Sequence, residues 1–268
     1  MELTQLIVLA VYHSLSEVWP LGAAGHHSLT SQILDWPPPG ASLLLAVRIG
    51  LLLGVMAYLW RDLADIAVGV ARAAKGKRNT DAALALQLLV AAVPTLGLGF
   101  AYTVYAPTDW QTAQVMGWSI VGGALVLWFF DRMSMTVKRV EHATYVDALV
   151  ISLAQVIALV PGLGSAAVGF TLARMLGYER NNATRLYFLL SIPVSIVVIA
   201  RDAYTLATSG GEITNSEILG GIVAFFTALI GFAILQAWLR RATFTPFIIY
   251  RLLLGAALLA LAYDVITP

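Results

Sequence analysis

Two apolar regions broken in the middle, set among six unbroken ones, constrain this chain more than any other feature. Unbroken stretches near 41–60, 82–105, 114–131, 186–206, 218–239 and 246–266 approach the roughly 20 apolar residues that a helix needs to cross a bilayer. The regions 4–36 and 145–180 are interrupted at Trp19-Pro20-Leu21-Gly22 and at Val160-Pro161-Gly162-Leu163-Gly164. Proline removes a backbone donor and glycine permits a sharp turn. The arms on either side run about 15 residues, too short to span. Each region is therefore expected to be a re-entrant helical hairpin rather than two of ten crossings. Such a break is tolerated at membrane depth only where protein or a water-filled cavity satisfies the freed backbone groups.

The expected fold is an all-α integral membrane protein, an inverted repeat of two re-entrant helical hairpins plus six transmembrane helices. Residues are 59% hydrophobic and only 12% charged, against about 25% charged in soluble domains. Three spans follow each hairpin. Because three is odd, the second half enters the membrane inverted, a plan that places a site at the repeat interface. The halves are 1–140 (hairpin 4–36 and three spans) and 141–268 (hairpin 145–180 and three spans). Pro20 and Pro161 correspond, each with Gly and Ala in the next few positions.

Charge orients this plan. Arg61, Arg72, Lys75, Lys77 and Arg78 lie in one connection, Arg132, Lys138 and Arg139 in a second, Arg240 and Arg241 in a third. The alternate connections 106–113 and 207–217, and residues 1–40, carry no Lys or Arg. The positive-inside rule then puts the basic loops in the cytoplasm and both termini outside. MELTQLIVLAVYHSL has no basic leader region, so a signal peptide is not expected. The net charge of +1 is scattered, which gives no phosphate-tracking stripe for nucleic acid. With no cysteine in the chain, thiolate nucleophiles, disulfides and cysteine-held metals are excluded.

An ionisable side chain within a membrane segment marks a functional site by default. SLSEVWPLGAAGHHSL, residues 14–29, places Glu17, His26 and His27 around the first break. His13 and Glu17 are four apart and share a helix face. Arg48 lies inside the first span, where a guanidinium facing lipid is costly, so it should point into the bundle. Arg201 with Asp202 ends the fourth span, and Arg251 and Asp264 lie in the last. Either arginine could bind phosphate or snorkel to the interface. Ser165 begins the second arm of the second hairpin. There the backbone N–H groups of Gly164, Ser165 and Ala166 could cradle an anion.

Tyr145-Val146-Asp147-Ala148-Leu149, Leu153-Ala154-Gln155 and Ala158-Leu159-Val160-Pro161-Gly162 resemble a signature of the undecaprenyl-diphosphate phosphatase family, the bacitracin-resistance proteins. Tyr187-Phe188-Leu189-Leu190-Ser191-Ile192-Pro193 resembles a later segment of that family. Glu17-Val18-Trp19-Pro20 with Gly25-His26 resembles its first signature, and the likeness extends over essentially the whole chain. The resemblance implies removal of one phosphate from a C55 polyprenyl diphosphate carrier of cell-wall synthesis. It further implies a site facing the periplasm of a bacterial inner membrane, and a divalent cation such as Mg²⁺ or Ca²⁺. Glu17 is then the expected metal ligand or general base, with His13 or His26 as acid–base partner or nucleophile. Gln155, Arg201 and the Gly164–Ala166 turn are expected to touch the phosphates.

Some family positions are occupied differently. The first family glutamate is His13, the Ser-Ser-Thr is Gly22-Ala23-Ala24, and the Ser-Arg-Ser-Gly is Gly164-Ser165-Ala166-Ala167. Arg48 stands where the family generally has glutamine. It is therefore a candidate for the lost arginine's role, or else pairs structurally with Glu17 or a helix-end carbonyl. The alternative function is a non-catalytic binder or translocator of a polyprenyl phosphate or other anionic lipid; a third is a structural membrane subunit. The partners expected are the lipid and the membrane, with room for a homodimer and none for nucleic acid.

Overall fold

The computed structural model describes residues 2–34, 36–77, 79–105, 110–263 and 265, all helical or irregular, with no strand among them. Arg78 and Asp264 lie outside the described residues. In chain order the helices are α1 (Leu3–Val18), α2 (Ala23–Leu34), α3 (Ala41–Tyr58), α4 (Trp60–Ala74), α5 (Thr80–Tyr105) and α6 (Ala113–Met133). They continue with α7 (Tyr145–Ser152), α8 (Ala154–Ile157), α9 (Ser165–Met175), α10 (Arg180–Thr208), α11 (Asn215–Leu239) and α12 (Thr245–Ala262).

Six of these, α3, α5, α6, α10, α11 and α12, are long and apolar enough to cross a membrane. They match the six unbroken stretches of the sequence. Their outward faces carry exposed Leu53, Val93, Phe100, Trp128, Ile230 and Leu253, as lipid-facing surfaces require. The chain is an all-α, multi-pass membrane protein. The connection 61–81, read from sequence only as a basic loop, is largely the helix α4. Its polar and apolar residues segregate to opposite faces, and Arg61 lies over the Trp60 ring at 5.4 Å. A helix of that kind suits the membrane surface.

Helices draw close where glycine removes the side chain, the usual device for apolar helices that gain nothing from excluding water. On α3, a Cβ at Gly50 would sit 2.0 Å from the Gly221 carbonyl oxygen of α11, and one at Gly54 2.5 Å from that of Phe225. The α6–α12 crossing repeats this, with Gly117 against Gly255. An aromatic core of Phe170, Tyr187, Phe188, Phe232 and Phe244 joins α9, α10 and α11.

The two breaks meet. The first separates α1 from α2, and the second separates α8 from α9. Gly22, Gly162 and Gly164 have φ of 88°, 92° and 74°, values that side chains resist. A Cβ at Gly164 would be 3.1 Å from Gly22 Cα, and one at Gly22 would be 3.2 Å from the Gly162 oxygen. Arg251 of α12, fully buried, closes the junction. It donates to the carbonyl of Leu163 at 2.9 Å and to those of Pro20, Gly162 and Ile120 at 3.4 Å. The sequence offered this arginine as a phosphate ligand or a snorkelling group; the structure buries it, with three of its four acceptors being carbonyls that the breaks leave open.

At the far end of α9 an ionic cluster anchors the second pair. Buried Asp131 accepts from Arg180 at 2.7 Å and lies 3.2 Å from Arg174. Asp147 accepts from Lys138 at 3.2 Å and from the Tyr178 hydroxyl at 2.9 Å. Burial, together with that carboxylate, pushes the Tyr178 hydroxyl above the usual phenol range. Thr144 and Asp147 cap α7 reciprocally, at 3.1 and 3.2 Å, the capping-box arrangement.

Candidate active site

Glu17 lies at the end of α1, one turn beyond His13, just before proline stops the helix. Ser165 opens α9 directly after Gly164. Because the breaks touch, these two residues, 148 apart in sequence, come within reach, and the Ser165 hydroxyl donates to Glu17 Oε2 at 3.3 Å. Gln155 arrives from α8 and Arg48 from α3.

These four side chains line two adjoining cavities. One, of about 220 Å³, also takes in His13, Tyr187, Ser191 and Ser195 and apolar residues of α3 and α10. The other, of about 460 Å³, runs over the breaks past Gly22, Ala23, Gly162, Gly164 and Gln111. The first is thus lipid-like on one side, while the second is floored by glycine backbone. The amide nitrogen of Gln155 is enclosed and has no hydrogen-bond partner among the described residues. An enclosed donor without a partner is costly, and an anionic oxygen in the cavity would satisfy it. Arg48 is ion-paired to Asp202 of α10, not to Glu17. It still lines both cavities.

The sequence candidates therefore divide. His13, Glu17, Arg48, Gln155, Gly164 and Ser165 are brought together. His26 is not: its Nδ1 donates to the Gly22 carbonyl at 3.0 Å and its Nε2 meets the Tyr250 hydroxyl at 2.6 Å. It lines a separate apolar groove with Trp19, Phe247 and Tyr250. Ala166 is buried behind the turn, and Arg201 is exposed and lines neither cavity. Tyr187, Ser191 and Ser195 escaped the sequence reading as site residues. Their spacing of four along α10 puts them on one face, a polar stripe in an apolar span that was there to be read.

The family described as bacitracin resistance protein BacA matches residues 6–257, which include both breaks and every cavity residue named above. The chain belongs to the BacA family. Among BacA-family relatives, undecaprenyl-diphosphatase 1 of Rhodospirillum rubrum is 40% identical, covering 98% of this chain and 96% of its own. Undecaprenyl-diphosphatase 1 of Paramagnetospirillum magneticum is 36% identical, covering 98% of each chain. The undecaprenyl-diphosphatase of Roseobacter denitrificans is 34% identical over 98% of this chain and all of its own. The resemblance noted in the sequence is thus the family of this chain, and its relatives are bacterial.

Proposed function

We propose that this chain hydrolyses undecaprenyl diphosphate to undecaprenyl phosphate and inorganic phosphate, in the two-lobed cavity where the breaks meet. One observation carries the reading. A carboxylate, a guanidinium, a hydroxyl and an unpartnered amide converge there, in a chain alignable end to end with relatives named undecaprenyl-diphosphatase. Phosphoryl transfer needs positioning and charge stabilisation more than covalent chemistry. Arg48, Ser165 and Gln155 donate to phosphoryl oxygens. Glu17 accepts a proton from the attacking water, whose oxygen bonds to the terminal phosphorus as the bridging P–O bond breaks. The departing lipid phosphate carries that bond's electrons. The apolar wall of α3 and α10 holds the first isoprenes.

A divalent cation fits this donor set in one way. No group of three His, Asp or Glu among the described residues could hold a metal alone. Mg²⁺ is commonly bound through one carboxylate, substrate phosphates and water. Glu17 would hold it together with the diphosphate, and the ion would neutralise phosphoryl charge.

The same reading takes the two broken helix pairs as re-entrant and the halves as inverted repeats. At about 1.5 Å per residue, the 16 residues of α1 and 12 of α2 extend about 24 and 18 Å, against a hydrocarbon core of about 30 Å. Packing supports the repeat. Helix α1 packs on α11 as α7 packs on α5, and α2 packs on α12 as α9 packs on α6. The basic loops then face the cytoplasm of a bacterial inner membrane, with both termini periplasmic. Binding without turnover has no observation in its favour.

The deciding experiment is phosphate release from C55 diphosphate by purified protein, with Mg²⁺, with Ca²⁺ and with chelator. Wild type should release phosphate, and Glu17→Gln should lose at least a hundredfold while keeping its thermal stability. No release by the wild type under any cation condition would overturn the hydrolytic reading.

A further inference from the structure

Beside the cavity, a row of three side chains leads away from the proposed phosphate site. His13 is buried on α1. Its Nδ1 lies 2.9 Å from Nε2 of His27 on α2. Nδ1 of His27 lies 2.7 Å from the Tyr12 hydroxyl. His13 Nε2 has no hydrogen-bond partner among the described residues, while its ring lines the smaller cavity with Glu17.

The proton positions in such a row are not independent. A neutral imidazole has one donor and one acceptor nitrogen. The Thr30 hydroxyl, 3.4 Å from Tyr12, spends its own proton on the carbonyls of His26 and His27 at 3.1 Å. Were the Tyr12 proton given to Thr30, His27 Nδ1–H would have to donate to the phenol oxygen; but 3.4 Å is too long for an O–H···O bond, and 2.7 Å is at the short limit for N–H···O and usual for a hydroxyl donor, so Tyr12 donates to His27 Nδ1. His27 Nδ1 is then an acceptor, so its Nε2 carries the proton and donates to His13 Nδ1. His13 must in turn carry its proton on Nε2.

We infer that Tyr12 and His27 are positioning residues, which hold His13 in the tautomer that presents an N–H to the cavity. His13 is then a fixed hydrogen-bond donor to a phosphoryl oxygen. In that tautomer Nε2 has no lone pair, so it is neither a metal ligand nor a base. The tautomer of a histidine is set by the partner of its other nitrogen. Here that partner is a second histidine, itself oriented by a phenol. The donor is neutral and costs less to keep buried than a charge would. The inference rests on the reading of the cavity as a phosphate site for its ligand, but not for the proton positions.

The test has two readouts. The chain holds four histidines, so ring ¹⁵N shifts of histidine-labelled protein can be assigned by single substitutions. His13 should appear as the Nε2–H tautomer in wild type and as a mixture in His27→Leu. His27→Gln offers an amide N–H to His13 and a carbonyl oxygen to Tyr12, so it should restore the wild-type pattern. In the phosphatase assay, His27→Leu should raise KM about tenfold with a smaller effect on kcat, Tyr12→Phe should raise it about threefold, and His27→Gln should stay near wild type. A lone pair on His13 Nε2 in wild type would overturn the inference. So would a His27→Leu protein with wild-type shifts and KM. If His27→Leu does not fold, the shifts of Tyr12→Phe and His27→Gln decide. If wild type releases no phosphate, the hydrolytic reading fails and the ¹⁵N shifts still decide the tautomer.

Discussion

Replacing Arg251 by Met should loosen both breaks at once. The guanidinium serves four carbonyls from three segments: Pro20, Ile120, and the Gly162–Leu163 turn. No carboxylate pairs with it among the described residues. Two effects oppose each other. Removing the charge relieves its desolvation, several kcal/mol for a buried ion. Against that, a hydrogen bond from a charged donor is worth about 1.5–3 kcal/mol net, and each orphaned buried carbonyl costs about 1–3 kcal/mol. The carbonyls win here, because those of Pro20, Gly162 and Leu163 lie in the breaks and have no other donor among the described residues, and the desolvation of Arg251 is already offset by four oriented dipoles. The net loss should be about 3–5 kcal/mol, in the range for removing one member of a buried charged set. By the scaling of soluble domains that is a Tm lower by about 10 °C. Arg251→Lys, a point charge without the planar fork, should recover about half. The assay is thermal unfolding in detergent. It is paired with maleimide labelling of Ala23→Cys, a clean reporter because the chain has no cysteine. Unchanged Tm and unchanged labelling in Arg251→Met would refute the brace.

Gly50→Val should destabilise by about 3 kcal/mol or more through overpacking, because even its Cβ meets the Gly221 carbonyl at 2.0 Å. Gly97→Ala, with nothing within 4 Å, is the control in the same unfolding assay. Asp131→Asn strands the buried Arg174 beside Arg180 and should cost about 3–5 kcal/mol, again read as Tm. Arg48→Gln should weaken inhibition of the phosphatase by inorganic phosphate about tenfold. Arg48→Lys should weaken it less, because lysine keeps the charge and loses only the bidentate fork.

Most of the fold was legible because its signals are local. Apolar length located all six spans, and Pro-Gly pairs located both breaks. The helix α4 was hidden because its charges read as a loop, although those charges repeat on one helical face. The candidate cavity was legible where a residue type is costly in a membrane, as with Glu17 and Arg48, which both line it. Orientation was not, because sequence adjacency says little about facing. His26 and Glu17 flank the same break, yet His26 turns to Tyr250 and leaves the cavity. His27, which the sequence only placed beside His26 and gave no role, supplies the partner of His13. The arginines needed tertiary structure most. Arg251 meets carbonyls, Arg174 meets Asp131, and Arg48 meets Asp202, partners from distant segments that no short window of sequence contains.

The junction of the breaks also has a consequence in time. The carbonyl of Pro20 is completed by a donor 231 residues later, on α12. Until α12 inserts, the first turn holds one acceptor, the Pro20 carbonyl, without this donor. Synthesis of this protein must therefore keep an unfinished turn hydrated or chaperoned until α12 is made, and α12 acts as the latch. Truncations that remove only residues after about 245 should consequently expose the N-terminal turn, far from the cut, to proteolysis and quality control.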